Sequence, residues 1–232
     1  MVWAIKEQEK KRSAGRTDDS FILLKITMFK VDLHIHSILG GDSDIEPGDL
    51  VEQARAVGLD AVCITEHHSY GLSAPFEEIS RKSGFPIFRG MEYKAAEGHL
   101  LVFGVKVSRG DLPPGLPIQN AINWVHARGG VSIPAHPYQK DMVGGALGDR
   151  VLTLRGLHAL EVANGSVSAE NNRLALRAAA TKGLKGTGGS DAHGLMRVGQ
   201  AYTVFPIPIG TEQELVEALR RGNYKACLNG SD

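Results

Sequence analysis

The 232-residue chain carries 26 basic and 26 acidic side chains, a formal net charge of zero, with 42% hydrophobic and 22% charged residues. This is the balance of a globular domain with a sizeable core, and it supplies no overall positive charge for holding duplex nucleic acid. Only Cys63 and Cys227 are present, with no C-x-x-C pair, which argues against a disulfide framework or a thiolate zinc site.

The first twenty residues, MVWAIKEQEKKRSAGRTDDS, alternate in charge and are poor in apolar residues, as in a solvated arm. The apolar run FILLKITMF that follows is interrupted by Lys25 and is far too short to span a membrane. No apolar centre of a signal peptide precedes it. Residues 1–28 are therefore expected to form an arm outside the core of a cytoplasmic protein with no membrane association.

From residue 29 strand-like and helical patterns alternate. The strand-like runs are FKVDLHIH, DAVCITEHH, FPIFRGMEY, HLLVFGVKV, GGVSIPAHP, HALEVANG, LKGTGGSDAH and AYTVFPI. Helical patterns lie between most of them. DLVEQARAVG places Leu50, Ala54 and Val57 on one face, PIQNAINWVHARGG stops at a glycine pair, and SAENNRLALRAAATKG closes at Gly183. TEQELVEALRRGN opens with Thr211 and Glu214 at capping-box spacing and stops at Gly222. Such alternation predicts a parallel α/β architecture in one domain over residues 29–232.

The stretch VDLHIHSILGGDSD holds two histidines one residue apart in a strand. Side chains at i, i+2 and i+4 of a strand share a face, so Asp32, His34 and His36 are expected to point the same way. A metal ion is the usual reason for two imidazoles to converge on one point, the alternative being a pair of surface histidines on an edge strand. Other polar residues fall at the ends of the expected strands: His67, Glu92, His136, Glu161, Asp191 and His193. In α/β barrels chemistry sits on that rim. Asp191 and His193 repeat the i, i+2 spacing, and Gly188 and Gly189 before them leave room for close backbone approach. His67 and His68 are adjacent, so on a strand one faces the site and the other does not.

DLHIHS (32–37), ITEHH (64–68), GME (90–92), GHLLVFG (98–104), PAHP (134–137) and GGSDAH (188–193), in this order, resemble the polymerase and histidinol phosphatase (PHP) family over residues 29–206. The resemblance implies a distorted seven-stranded βα barrel, TIM-like, with two to three divalent metal ions in its mouth. It implies that His34 and His36 bind the first ion with Glu92 and Asp191, and that Asp42 and His67 serve the second. Glu92 then bridges two ions, while His99, His136 and His193 complete the third site. Nitrogen and oxygen donors without sulfur suit zinc, manganese or iron. In one place the chain departs from the family: its T-D-H motif reads T-E-H, with Glu66 in place of Asp.

Such a centre implies a phosphoesterase in which a hydroxide shared between ions attacks a small phosphomonoester, a nucleotide or a short oligonucleotide. Arg197 and Lys140 are the expected cationic contacts to substrate phosphate, and His68 a further substrate contact. His67, His193 or a water are the proton donors left open. Glu161 is expected at the rim or behind a ligand, His126 as a structural residue, and His158 at the surface. Two alternatives stand beside this reading: an exonuclease taking a single-stranded end, and a metal-binding module without catalysis.

Overall fold

The computed structural model describes residues 28–140 and 145–230. Apart from Met28, the arm expected over residues 1–28 lies outside the described residues. The eight expected strand runs each meet a strand: β1 (Phe29–Ile35), β2 (Ala61–Ile64), β3 (Ile87–Lys94), β4 (His99–Phe103), β5 (Val131–Ala135), β6 (Ala159–Asn164), β7 (Lys185–Gly189) and β8 (Ala201–Phe205). A ninth, β9 (Lys225–Leu228), is short and half-exposed, so no burial pattern marks it in the sequence.

The four expected helices form where their end signals place them. They are α1 (Pro47–Ala56), α3 (Ile118–Ala127), α4 (Ala169–Lys182) and α5 (Glu212–Arg221). In α5 the Thr211 hydroxyl accepts from the Glu214 N–H, and the Glu214 carboxylate accepts from the Gly210 N–H at 2.7 Å. Gly222 closes the helix in the left-handed conformation. One helix, α2 (Pro75–Ser83), has no counterpart among the expected helices; it starts on a proline and buries only Phe76, too little apolar periodicity to read.

Among the described residues seven strands form one sheet in the order β5-β4-β3-β2-β1-β8-β9, and β6 pairs with β7 separately. The sheet is mixed, not parallel as the alternation predicts. β1, β2 and β3 run parallel, but β4 is antiparallel to both its neighbours, and β8 is antiparallel to β1 and β9. The cause is local: residues 95–98 are all that separates β3 from β4, a hairpin length that cannot carry a parallel crossover. The sheet curls into a half-barrel, and the β6–β7 pair fills its open side. The segment leaving β7 is tied to β1 by Asp191 N–H to His34 O at 2.7 Å and His36 N–H to Ala192 O at 3.0 Å.

The concave side is filled by Val31, Leu33, Cys63, Phe88, Leu101 and Ile133 from five strands, against Leu215, Val216 and Leu219 of α5. Each such buried aliphatic side chain contributes roughly 1.5–3 kcal/mol. α1 and α2 cover the outer face through Leu50, Ala54 and Phe76, packed on Ile35, Val62 and Ile64. No helix among the described residues is long and apolar enough to cross a membrane.

One irregularity in β1 decides the site. Pairing with β2 runs Val31 to Ala61 and Asp32 to Val62, then resumes at Ile35 to Ile64, so β1 holds one extra residue. Such a bulge turns the following side chains over. Val31 and Leu33 lie on the concave side before it, whereas His34 and His36 do so after it. The expectation that Asp32 shares a face with the two histidines is therefore corrected. Asp32 instead accepts from the Ser190 and Gly199 N–H groups at 2.8 and 2.9 Å, clamping the β7–β8 connection.

Candidate metal centre

Glu92, at the end of β3 and 1% exposed, is the middle of a convergent set of donors. Its Oε1 lies 2.8 Å from His99 Nδ1 and 3.0 Å from His136 Nε2. Its Oε2 lies 3.2 Å from both His36 Nε2 and His67 Nδ1, and 3.5 Å from His34 Nε2. His34 Nε2 and His36 Nε2 face one another at 3.2 Å, with Asp191 Oδ1 at 3.4 and 3.5 Å from them. On the outer side Asp42 Oδ2 sits 3.0 Å from His67 Nε2 and 3.7 Å from His193 Nε2. All nine side chains expected as ligands thus come together, in overlapping groups of three or four donors that share Glu92, His34, His36 and His136.

Backbone geometry explains how distant segments reach one rim. His99 opens β4 rather than ending a strand, and it arrives at the same rim because β4 runs the other way. His68, His136 and Asp191 hold φ of 60°, 27° and 53°, the three left-handed non-glycine residues among those described. Each such residue costs on the order of 1–3 kcal/mol. Hydrogen bonds fix them: His68 N–H to Glu92 O at 2.9 Å, His136 N–H to Glu161 Oε2 at 2.7 Å, and Asp191 N–H to His34 O at 2.7 Å. Gly189 permits the last contact, since a Cβ there would lie 2.5 Å from the His34 Cβ.

The electrostatics fit a cation. Burial disfavours charge on His36, yet Asp191 and Glu92 beside it bring its pKa up to about 9, and His34 is raised by Asp191, Glu161 and Glu92 against the same penalty. Burial alone would raise Glu92 and Asp191, but the facing imidazoles hold both well below the usual carboxylate range. Burial pushes His67 the other way, down to about 4, leaving a neutral ring. Protons on histidine therefore balance the two buried carboxylates. A divalent ion on the same atoms would do so while releasing those protons, as ligand histidines must be neutral.

Further groups hold the donors in place. Glu161 Oε1 lies 3.0 Å from His34 Nδ1, and its other oxygen accepts from Asn164 Nδ2 at 3.0 Å as well as from His136 N–H. Glu161 thus stands behind His34, one of the candidate donors. Glu66 Oε1 accepts from the Ser37 N–H at 3.1 Å and from the Ser37 hydroxyl. Its Oε2 is 4.0 Å from His36 Nδ1, and both atoms are buried without a hydrogen bond among the described residues. The longer Glu of T-E-H therefore still faces His36, the kind of carboxylate partner a metal-bound imidazole usually has. Gly40 leaves the room it needs, because a Cβ there would run into that carboxylate. Ser37 and Asn164 escape sequence reasoning; Asn164, three residues after Glu161 at the end of a strand, is the one with a legible signal.

A cleft of about 420 Å³ opens beside the cluster, bordered by His67, Glu92, His99, His136, Asp191 and His193. Lys140 stands on its wall, as expected of a substrate contact, and so does Lys94, which sequence reasoning missed. Arg197 does not border the cleft: it is exposed and donates to Gln200 Oε1 at 2.9 Å. His68 lies behind His67, with ring centroids 6.1 Å apart, and edge-on to Tyr93. His126 and His158 pack against each other at 4.7 Å apart from the donor groups, His126 against Ser132 as a structural residue and His158 half-buried rather than at the surface.

Comparison with known proteins places this arrangement. A family model described as PHP-associated matches residues 169–224. An uncharacterized protein of Methanocaldococcus jannaschii is 30% identical over 145 residues, which cover 58% of this chain and 81% of that one. Among solved structures, a two-domain protein from Bacteroides vulgatus containing a predicted PHP-like metal-dependent phosphoesterase superposes with a TM-score of 0.67 at 21% identity, over 87% of this chain and 65% of that one. A lesion-specific endonuclease from Pyrococcus furiosus superposes with a TM-score of 0.62 at 18% identity, over 86% of this chain and 57% of that one. This chain spans less than two thirds of each of those two proteins.

Proposed function

The chain belongs to the PHP family, and on that premise we propose that it is a metal-dependent phosphoesterase acting on a small phosphomonoester, nucleotide or short oligonucleotide. The observation that carries this reading is Glu92, whose two oxygens face two different sets of histidine nitrogens. On this reading the seven-stranded half-barrel, closed by the β6–β7 pair, is a distorted form of the expected βα barrel. His34, His36, Glu92 and Asp191 would hold one ion; Asp42 and His67 a second; His99, His136 and His193 complete a third position. Zinc, manganese and iron all match these donors.

Ions a few ångströms apart supply a water made acidic near neutral pH and offset charge on phosphoryl oxygens. The chain's own part is positioning. Glu92 fixes the spacing between donor groups, and Glu161 turns His34 so that Nε2 points inward. Asp42 and His193 are the most exposed of the nine, at 37% and 40%, so the donor cluster is open on their side. Lys140 on the cleft wall would attract the anionic substrate. No Phe, Tyr or Trp borders the cleft among the described residues, and its four imidazoles are candidate metal donors, so it offers little platform for stacking bases. That favours a small phosphomonoester over a single-stranded end.

The test is elemental analysis of protein reconstituted with manganese, zinc or iron, followed by a phosphoester panel that includes single-stranded oligonucleotides. Two to three equivalents of metal with phosphomonoester turnover is the expected result. Full metal binding with no turnover of any ester would instead favour the non-catalytic module.

A further inference from the structure

Asn164 closes β6 and is 1% exposed. Its side-chain Nδ2 carries two hydrogens, and two carboxylate oxygens lie within reach. One is Glu161 Oε2 at 3.0 Å, on the residue behind His34. The other is Asp191 Oδ2 at 3.4 Å, on the donor whose Oδ1 faces His34 and His36. The amide oxygen accepts from the Ser166 N–H at 2.8 Å, which settles that the nitrogen end faces the carboxylates. A neutral amide thus stands between two acidic groups and adds no charge of its own.

Asn164 is itself gripped from behind. Asn172 of α4, 8% exposed, accepts from the Asn164 N–H at 2.9 Å and donates through Nδ2 to the Asn164 carbonyl at 2.9 Å. The turn after β6 also clasps the turn after β7. Gly165 N–H donates to Gly189 O at 3.1 Å, and the Ser166 hydroxyl lies 2.9 Å from both Ser190 O and Asp191 O. A Cβ at Gly165 would lie 2.8 Å from the Gln200 Cβ and 3.0 Å from Ser190 O, so the two turns touch too closely for a side chain. Asp191 needs such a clasp, because a left-handed backbone at φ 53° persists only where surrounding contacts over-determine it. A carboxylate already fixed also loses less rotamer freedom when an ion binds.

We propose that Asn164 is a positioning residue of the metal centre: its amide holds Glu161 and Asp191 in one fixed relation, and Asn172 ties that relation to α4. This inference rests on the proposed metal centre and adds to it a residue that touches no ion. One amide sets several donors, since Glu161 also accepts from the His136 N–H at 2.7 Å and turns the His34 ring. Without it each carboxylate loses a hydrogen bond, and Asp191 Oδ1 is no longer aimed at His34 and His36.

The experiment compares wild type with Asn164→Leu, which keeps the shape and removes the amide, and with Asn172→Ala. Ile122→Ala is the control, a cavity in the core under α3 outside the donor groups. Manganese affinity is read by competition with a chromophoric chelator, well below the Tm of each protein. Asn164→Leu is expected to bind about 10–100-fold more weakly, and Asn172→Ala about threefold or more, the loss of a modest hydrogen bond. Ile122→Ala should lower Tm and keep wild-type affinity. Wild-type affinity in Asn164→Leu, or an equal loss in Ile122→Ala, would overturn the positioning role. Where Asn164→Leu does not fold, Asn172→Ala decides in the same way. Should wild type take up no metal, the metal-centre reading fails, and the positioning role is judged by amide hydrogen exchange of metal-free protein. Exchange of the Asp191 and His136 N–H groups roughly tenfold faster in the folded Asn164 or Asn172 variant, with the Glu214 N–H of α5 unchanged, then supports it. No difference, or an equal increase at Glu214, overturns it.

Discussion

Glu161 Oε1 stands 3.0 Å from His34 Nδ1, and neither side chain touches solvent. The contact fixes which His34 nitrogen carries the proton and frees Nε2 for the cluster. Glu161→Gln keeps the shape but removes the charge that makes the imidazole a strong donor. Metal affinity is expected to fall about 10–100-fold, the usual effect of losing such a partner. Competition with a chromophoric chelator measures it. Wild-type affinity in the variant would mean that His34 needs no carboxylate behind it.

Gly189 touches β1 where no side chain fits. A Cβ would lie 2.5 Å from the His34 Cβ and 2.7 Å from its N, so β7 must move and carry Asp191 with it. Gly189→Ala should destabilise the fold by on the order of 1–3 kcal/mol, as overpacking does. Metal stoichiometry should fall as well. Urea unfolding and elemental analysis read the two effects separately, and a variant as stable as wild type refutes the tight contact.

Metal removal should lower stability because the ions bind only the assembled cluster. A metal present at one hundred times its Kd adds about 2.7 kcal/mol. For a chain of this length that corresponds to a Tm lowered by roughly 5–10 °C on chelation. Calorimetry with and without a chelator checks it. An unchanged Tm would show that the ions contribute nothing to the folded state.

Stability should also fall in mild acid for a reason unrelated to the cluster. Burial lowers the pKa of His126 and His158 from the ordinary 6.5, helped by Arg220 and, for His158, by His126. The unfolded chain therefore takes up protons before the folded one as pH drops through about 6.5, and stability rises with pH across that window. In metal-free protein, His126→Gln/His158→Gln should shrink the stability difference between pH 7.5 and pH 5.5. An undiminished difference places the dependence elsewhere.

Most of the candidate metal centre was legible because its donors are titratable residues in short, spaced motifs at strand ends. Local pattern alone located His34, His36, Glu92, Asp191 and the glycines that bring β7 against β1. The errors came where a short stretch, down to a single residue, changes geometry. One inserted residue in β1 turned Asp32 away from its two histidines, and no periodicity argument sees a bulge. A four-residue link reversed β4 and made the sheet mixed. Arg197 follows the S-D-A-H motif closely in sequence, yet the turn at Leu195–Arg197 sends its guanidinium to Gln200 instead of the cleft. Lys94 was overlooked because a lone lysine at a strand end carries no motif; only its register with His99 gives it meaning.

The position of β1 has a consequence for how the chain acquires its fold. This strand lies between β2 and β8 in the sheet and accepts the segment after β7 along its second half, so its partners stretch from residue 61 to residue 205. A ribosome must therefore deliver nearly the whole described chain before β1 can be paired on both sides. Contacts so distant in sequence fold slowly. Until then His34 and His36 lack Asp191 and His193, and a half-made chain offers metal ions only fragments of a cage. Loading with the correct ion thus becomes a late event, one that reports that the last strands have docked.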